Sequence, residues 1–109
     1  MLYHVNGELV HTAPGAAVID CGGVGYHLLV STNTLSKISG KRGEKVLLYT
    51  HMAVKEDSVD LYGFFEYSEL TAFRMLVSVS GVGAKTALSL LSAHTPESFA
   101  AAVVAGDHK

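Results

Sequence analysis

The chain has 109 residues, of which 49% are hydrophobic and 17% charged, and it carries a formal net charge of −2. This composition indicates one globular domain or two small ones and excludes a disordered chain. DNA-binding surfaces are usually basic, so DNA binding by this chain would need local backbone donors, a few placed cations or several copies of the chain.

The cysteine content and the hydropathy pattern exclude further classes. The single cysteine, Cys21, excludes an internal disulfide framework and a cysteine-based zinc cluster. No apolar run has the length of a membrane span, and the first residues do not have the pattern of a signal peptide. We therefore expect a cytoplasmic protein with no membrane partner.

The first part of the chain has the pattern of short β-strands separated by turns. Strand character is found at residues 2–10, 16–21, 25–31, 45–54 and 59–65. Glycines at 22, 23 and 25 predict a hairpin connection, and residues 6–7 (Asn-Gly) predict a bulge or a tight bend in the first strand. Residues 32–43 predict a long loop or a helical turn. Five strands favour a closed OB-type barrel, although a generic antiparallel sheet would have the same periodicity.

A helical pattern replaces the strand pattern at residues 66–68. The first helix presents one apolar face and the second another, formed by Leu70, Phe73, Leu76 and Val77 and by Ala87, Leu88 and Leu91. Met75 is predicted to lie in the core. Thr95 and Pro96 predict the start of a third helix. We expect two domains, a barrel over residues 1–64 and a helical domain over residues 65–109.

The connection between the first two helices is the most informative stretch. Residues 80–86 read Ser-Gly-Val-Gly-Ala-Lys-Thr, and the glycines allow the backbone to reverse direction. The second helix then begins with unpaired N–H groups at the positive end of its dipole, which suits a phosphate. This is the pattern of a helix-hairpin-helix. A nucleotide-binding P-loop would need Gly at positions 79 and 84. An αα-corner, in which the glycines only make a turn, explains them equally well from spacing alone.

No catalytic or metal centre is predicted. The six histidines are scattered without a His-x-x-x-His pair, and neither Ser80 nor Cys21 has a visible His/Asp constellation. His51 is predicted to be a packed or edge residue. We expect no enzyme activity and no cofactor. Glu56 and Asp57, in the turn between the last two strands, are from spacing alone a solvated acidic turn.

Four motifs together resemble the RuvA family of Holliday-junction-binding subunits. They are residues 20–26 (Asp-Cys-Gly-Gly-Val-Gly-Tyr), 49–51 (Tyr-Thr-His), 55–57 with 61–64 (Lys-Glu-Asp with Leu-Tyr-Gly-Phe) and 79–85 (Val-Ser-Gly-Val-Gly-Ala-Lys). The resemblance extends from residue 1 to about residue 105. The chain departs from the family in two places. Residues 3–6 (Tyr-His-Val-Asn) stand where Gly and Arg are usual, and Ala84 stands where Pro is usual.

The resemblance implies structure-specific, sequence-independent binding of four-way junction DNA in recombination, DNA repair and the SOS response. It assigns a role to seven residues: phosphate binding to Gly81, Val82, Gly83, Lys85 and Thr86, and an acidic pin at the junction centre to Glu56 and Asp57. It implies a homotetramer or an octamer, with the RuvB motor and the RuvC resolvase as partners. It also predicts that this chain is an N-terminal fragment without the second hairpin and the RuvB-docking domain.

Two other functions remain open from the residues. An OB-fold module that binds single-stranded nucleic acid would use aromatic side chains as stacking platforms, for which Tyr26, Tyr49, Tyr62 and Phe64 are the candidates. A barrel that only binds other proteins is the third. Competition between a junction and a single strand separates the first two functions, and absence of all DNA binding would favour the third.

Overall fold

The computed structural model describes residues 2–79 and 81–92. The predicted third helix, at Thr95 and beyond, lies outside the described residues. The elements in chain order are strands β1 (His4–Ala13), β2 (Ala16–Cys21) and β3 (Val24–Val30), helix α1 (Thr32–Ile38), a short 3₁₀ helix (Ser39–Lys41), strands β4 (Lys45–Val54) and β5 (Val59–Phe64), and helices α2 (Tyr67–Val77) and α3 (Ala84–Ser92).

The five strands form a closed barrel with the neighbour order β1-β2-β3-β5-β4. Antiparallel pairing of β1 with β4 closes the barrel, and β3 pairs with β5 in parallel. This closure removes exposed strand edges, as in OB-type barrels. The predicted fold class, an OB-type barrel followed by helices, is confirmed, and the generic open sheet is excluded.

The predicted turns connect the strands where glycines permit a positive φ. Gly22 and Gly23 have φ values of 62° and 96° between β2 and β3, and the Gly23 N–H donates to Asp20 Oδ1 at 2.8 Å. Positive φ at both central residues matches the right-handed twist of the flanking strands. Gly15, with a φ of 79°, serves the turn between β1 and β2. The hairpin predicted from these glycines is confirmed.

Gly7 does not produce the bulge or bend that its position in β1 predicts. It pairs in regular register with Val46 of β4, and the register shift in β1 lies between Leu9 and His11. A Cβ at Gly7 would overlap the carbonyl oxygen of Asp20 in β2. The glycine therefore serves the close approach of two backbones and not a bend.

The interior of the barrel is filled by alternating side chains and by α1. Residues 5, 7 and 9 of β1 are buried while residues 4, 6 and 8 are exposed, which is the period of a strand with one face in the core. Ile38 of α1 is fully buried in the same core and Leu35 packs against it. The stretch from residue 32 is thus helical, the second of the two predicted alternatives. Ser31 caps it by accepting the Thr34 N–H at 3.1 Å.

A second core joins the barrel to the two helices of the hairpin. The ring of Phe73 in α2 lies 5.1 Å from that of Tyr62 and 5.0 Å from that of Phe64, both on β5. The predicted apolar faces of both helices are confirmed, because this core also contains Leu70, Ala72, Leu76, Ala87 and Leu91. Met75 is 48% exposed, and the prediction that it lies in the core is wrong. Among the described residues, no helix has the length and apolarity needed to cross a membrane.

Candidate nucleic-acid interface

The hairpin loop, defined as residues 78–83 between α2 and α3, is described except for residue 80. The Val79 N–H donates to Leu76 O, and Val79 O accepts the Val82 N–H, both at 3.1 Å. Gly81 has a φ of 87°, a conformation that side chains other than glycine adopt only with strain. The loop therefore reverses the chain between the helices as its glycines predict.

Gly83 begins α3 without a side chain at the cap position. Its carbonyl accepts the Ala87 N–H at 2.9 Å, the first hydrogen bond of the helix. The N–H groups of the first helical turn have no carbonyl within the helix to bind. Lys85 and Thr86 are exposed in this turn, and it contains no acidic residue. Hydrogen-bond donors, a cation and the positive end of the helix dipole thus occupy one place.

The backbone of this loop is open to a ligand. A Cβ built on Gly81 or on Gly83 would meet no heavy atom within 4 Å, so nothing in the described protein covers these positions. Val82 differs, because its side chain packs against the core between barrel and helices and is half-buried. Val82 thus anchors the loop, while the main chain at Gly81 and Gly83 stays open. All five residues predicted to bind phosphate lie at this loop and the first turn of α3.

The acidic tip, defined as Glu56 and Asp57, lies at the end of the hairpin formed by β4 and β5. The Lys55 N–H donates to Ser58 O at 2.8 Å and closes the turn. Both carboxylates are exposed. Val54 and Val59, the last pair of the ladder, are each 62% exposed. The tip therefore combines negative charge with an apolar pair that the described residues leave exposed.

The acidic tip and the helix that leads into the hairpin loop are both supported by strands β4 and β5. The acidic tip extends from strands β4 and β5, and α2 packs against the same two strands. The ring of His51 on β4 contacts that of Phe73 in α2 at 5.2 Å. Burial, and next the nearby Arg74 guanidinium, lower the pKa of His51. The prediction of a packed histidine is confirmed.

The aromatic residues do not form the predicted stacking platform. Tyr62 and Phe64 are 1% and 0% exposed, and burial raises the pKa of the Tyr62 phenol, with the Asp60 carboxylate as a smaller cause. A partly exposed aromatic cluster includes one of the predicted residues: Tyr67 lies 6.2 Å from Tyr3 and 5.3 Å from Tyr49 by ring centroids. The sequence pattern does not bring this cluster together, because Tyr3 precedes β1, Tyr49 lies on β4 and Tyr67 lies in α2.

No catalytic constellation is found in the described part of the chain. Residues 2–79 and 81–92 contain no group of three His, Cys, Asp or Glu side chains able to hold a metal ion. Cys21 is half-buried, and its thiol donates to the Asn6 carbonyl with a separation of 3.5 Å. Ser80 lies outside the described residues. The arrangement can bind phosphate at the hairpin loop and repel it at the acidic tip.

Two family models match the chain. The model described as RuvA N terminal domain matches residues 1–63, and the model described as SAM-like Helix-hairpin-helix tandem matches residues 73–106. The first match covers the barrel up to Gly63, one residue before the end of β5, and the second covers the C-terminal part of α2, the hairpin loop and all of α3.

The chain is also similar to curated relatives named "Holliday junction branch migration complex subunit RuvA". The relative from Christiangramia forsetii is 45% identical over 107 residues, which are 98% of this chain and 54% of the relative. The relative from Flavobacterium psychrophilum is 44% identical over 107 residues, with the same coverage. That from Bacteroides thetaiotaomicron is 48% identical over 96 residues, 88% of this chain and 47% of the relative. The chain spans about half the length of these relatives.

Proposed function

The chain belongs to the RuvA family, and from this premise we propose that it binds four-way (Holliday) junction DNA as a subunit of a branch-migration complex. Recognition is of junction structure and not of base sequence, in recombination and DNA repair. The observation that carries the proposal is the hairpin loop, whose open glycine backbone leads directly into the N-terminus of α3. Backbone N–H groups bind phosphate oxygens without reading bases.

The phosphate contacts are assigned to the backbone of Gly81 and Gly83 and to the side chains of Lys85 and Thr86. The Val82 N–H is already bonded to Val79 O, so Val82 contributes by anchoring the loop. A side chain at position 81 or 83 would occupy the open space beside the main chain. Glycine leaves this space free for an approaching phosphate. Lys85 supplies charge within the first helical turn, where the helix dipole has the same sign. Such contacts release counterions, so affinity should fall steeply as salt rises.

The acidic tip has the opposite role in this proposal. Exposed carboxylates repel phosphates, so Glu56 and Asp57 disfavour any DNA that runs continuously across them. An open junction leaves a gap between its strands at the crossover, where negative charge can be accommodated. The tip therefore favours the open junction over the duplex.

Assembly explains how a chain of net charge −2 binds DNA. One hairpin offers few phosphate contacts, and a homotetramer, or an octamer of two such tetramers, presents several on one junction. Once one subunit binds, the hairpins of the other subunits are held close to the DNA. This raises the effective concentration for each further contact, although no subunit gains a contact of its own. The exposed valine pair at the acidic tip supports burial between copies.

We further propose that the subunit is non-catalytic and cytoplasmic, with an ATP-driven RuvB motor and the RuvC resolvase as partners in the complete complex. In this proposal, residues 1–64 are assigned to tetramerisation and the junction centre, and residues 65–109 are assigned to contact with the DNA arms.

The proposal is tested by gel-shift titration at low salt with three DNAs, namely a four-way junction, a linear duplex and a single strand. We expect preference for the junction, and about tenfold weaker binding for Lys85→Ala. Lys37→Ala is the matched control. It removes the same charge from α1, away from the loop, where Lys37 forms an ion pair with Glu66. Equal binding of all three DNAs, or equal effects of the two lysine variants, would contradict the proposal. Sedimentation of the same sample measures the assembly state.

A further inference from the structure

The connection between β3 and α1 lies where the barrel meets both helices of the hairpin. We name residues 31–34 (Ser-Thr-Asn-Thr) the joint segment. Ser31 and Thr34 are both 0% exposed although their side chains are polar. Buried hydroxyls are costly unless they are hydrogen-bonded, so their partners define what this segment does.

The joint segment binds α2 through Glu69, a carboxylate that is 2% exposed. Ser31 Oγ donates to Glu69 Oε2 at 2.5 Å, and Thr34 Oγ1 donates to Glu69 Oε1 at 2.7 Å. Each hydroxyl oxygen also accepts one backbone N–H, Ser31 that of Thr34 and Thr34 that of Phe65, both at 3.1 Å. Both hydroxyl protons are thus available only to acceptors on Glu69. A carboxylate offers two acceptor oxygens, and a carboxamide would offer one.

The same segment binds α3 at its last turn. Asn33 Nδ2 donates to the Leu91 carbonyl at 2.8 Å. The Thr32 N–H donates to Ser92 Oγ at 3.1 Å, and that hydroxyl donates in turn to the Leu88 carbonyl at 3.0 Å. Four consecutive residues therefore hold α2 with their two buried side chains and α3 with the two residues between.

These hydrogen bonds supply what the apolar core cannot. The core between β5 and the two helices resists separation, but hydrophobic attraction has no preferred direction and allows helices to rotate or slide. Hydrogen bonds between fixed donors and acceptors have narrow ranges of distance and angle. Only two residues, Phe65 and Glu66, connect β5 to α2, so the orientation of the hairpin rests on contacts and not on the length of the connection.

We propose that the joint segment and Glu69 are positioning residues that set the orientation of the hairpin relative to the barrel. The consequence for DNA rests on the proposed function: the network fixes the distance between the phosphate-binding hairpin loop and the acidic tip. In this proposal the network does not contact DNA, since Ser31, Thr34 and Glu69 are buried. The network acts by limiting the orientations that the loop adopts before binding, which lowers the entropy lost when a junction is bound.

The orientation is measured without DNA by pulsed electron–electron resonance between two spin labels. Cys21→Ser removes the native thiol, and His27→Cys on β3 with Ser89→Cys on α3 provide exposed labelling positions on the barrel and the hairpin. Thr34→Val and Ser92→Ala each remove one hydroxyl, on the α2 side and the α3 side of the network. Thr71→Val is the matched control, because its hydroxyl donates only within α2, to Tyr67 O.

We expect a broader label-to-label distance distribution for Thr34→Val and Ser92→Ala than for the control, at a temperature where circular dichroism shows all variants folded. Junction affinity should fall about tenfold in the same two variants. Distributions as narrow as that of the control would overturn the proposal whatever the DNA result. A broadened distribution in a protein that never prefers junctions would support the proposal about orientation and refute the proposed function. Glu69→Gln should broaden the distribution as Thr34→Val does.

Discussion

The two glycines of the hairpin loop should respond differently to alanine, and the difference separates folding from DNA binding. Gly81 has a φ of 87°, so Gly81→Ala forces a side chain into the left-handed region. That strain costs about 1–2 kcal/mol. For a domain of this size, we expect the melting temperature to fall by roughly 5–10 °C.

Gly83→Ala should leave the fold almost unchanged. Gly83 is not among the described glycines with positive φ, and its added Cβ would meet no atom within 4 Å. Alanine is a poorer helix cap than glycine, by about 0.5–1 kcal/mol. It also restricts the unfolded chain, which favours folding by about 0.4–1 kcal/mol. The two effects offset each other, so we expect the melting temperature to change by less than about 3 °C.

For DNA binding, Gly83→Ala is the more informative of the two variants. The methyl group of Gly83→Ala occupies the space through which a phosphate would approach the N–H groups of α3, and each subunit loses charge-assisted hydrogen bonds. We expect at least about tenfold weaker junction binding and a smaller salt dependence. The assay is a junction titration at two or more salt concentrations alongside thermal melting. Gly83→Ala with wild-type affinity would refute the assignment of phosphate binding to this backbone.

Three further outcomes follow from particular contacts. Glu56→Gln with Asp57→Asn should leave stability within about 0.5 kcal/mol, since both side chains are exposed, and should raise duplex affinity relative to junction affinity in competition assays; an unchanged ratio would exclude the repulsive role. Gly7→Ala should cost about 2–4 kcal/mol in urea unfolding, because its Cβ would overlap the Asp20 carbonyl oxygen. The pKa of His51 is lowered in the folded chain from its ordinary value of 6.5. As the pH falls through 6.5, the unfolded chain therefore binds more protons than the folded chain. Stability should therefore fall on acidification through this range, and His51→Asn should reduce the slope measured by urea unfolding at several pH values.

Strands, turns and the hairpin loop were predictable because their signals are local. The strand period, the positive-φ glycines between β2 and β3 and the two glycines before Lys85 each act within a few residues. The sequence does not decide between a loop and a helix at α1, because this element has seven residues and only Leu35 and Ile38 as large apolar side chains. Its cap was visible in principle, since a serine three residues before a threonine can accept that residue's N–H. The core prediction for Met75 is wrong because helical periodicity puts this residue opposite Phe73, on the outer face of α2.

The joint segment could not be predicted from the sequence. Glu69 looks like a surface residue in the first turn of a helix, where a negative charge suits the dipole. Its partners Ser31 and Thr34 lie 38 and 35 residues earlier in the chain. Only the closed barrel brings the end of β3 beside the start of α2. The prediction of a bulge or bend at Gly7 is wrong for the same reason, because the Asp20 carbonyl that excludes a side chain there belongs to another strand.

The balance of charge explains why orientation should matter in this protein. A strongly basic protein binds DNA over many alignments, because long-range attraction compensates for misplaced contacts. This chain has a net charge of −2, and its proposed DNA contacts are one loop that attracts phosphate and one tip that repels it. A rotated hairpin would lose the attraction while the repulsion remained. Discrimination between junction and duplex then depends on how rigidly loop and tip are held apart, which is the property that the hydrogen bonds of Ser31, Thr34 and Glu69 control.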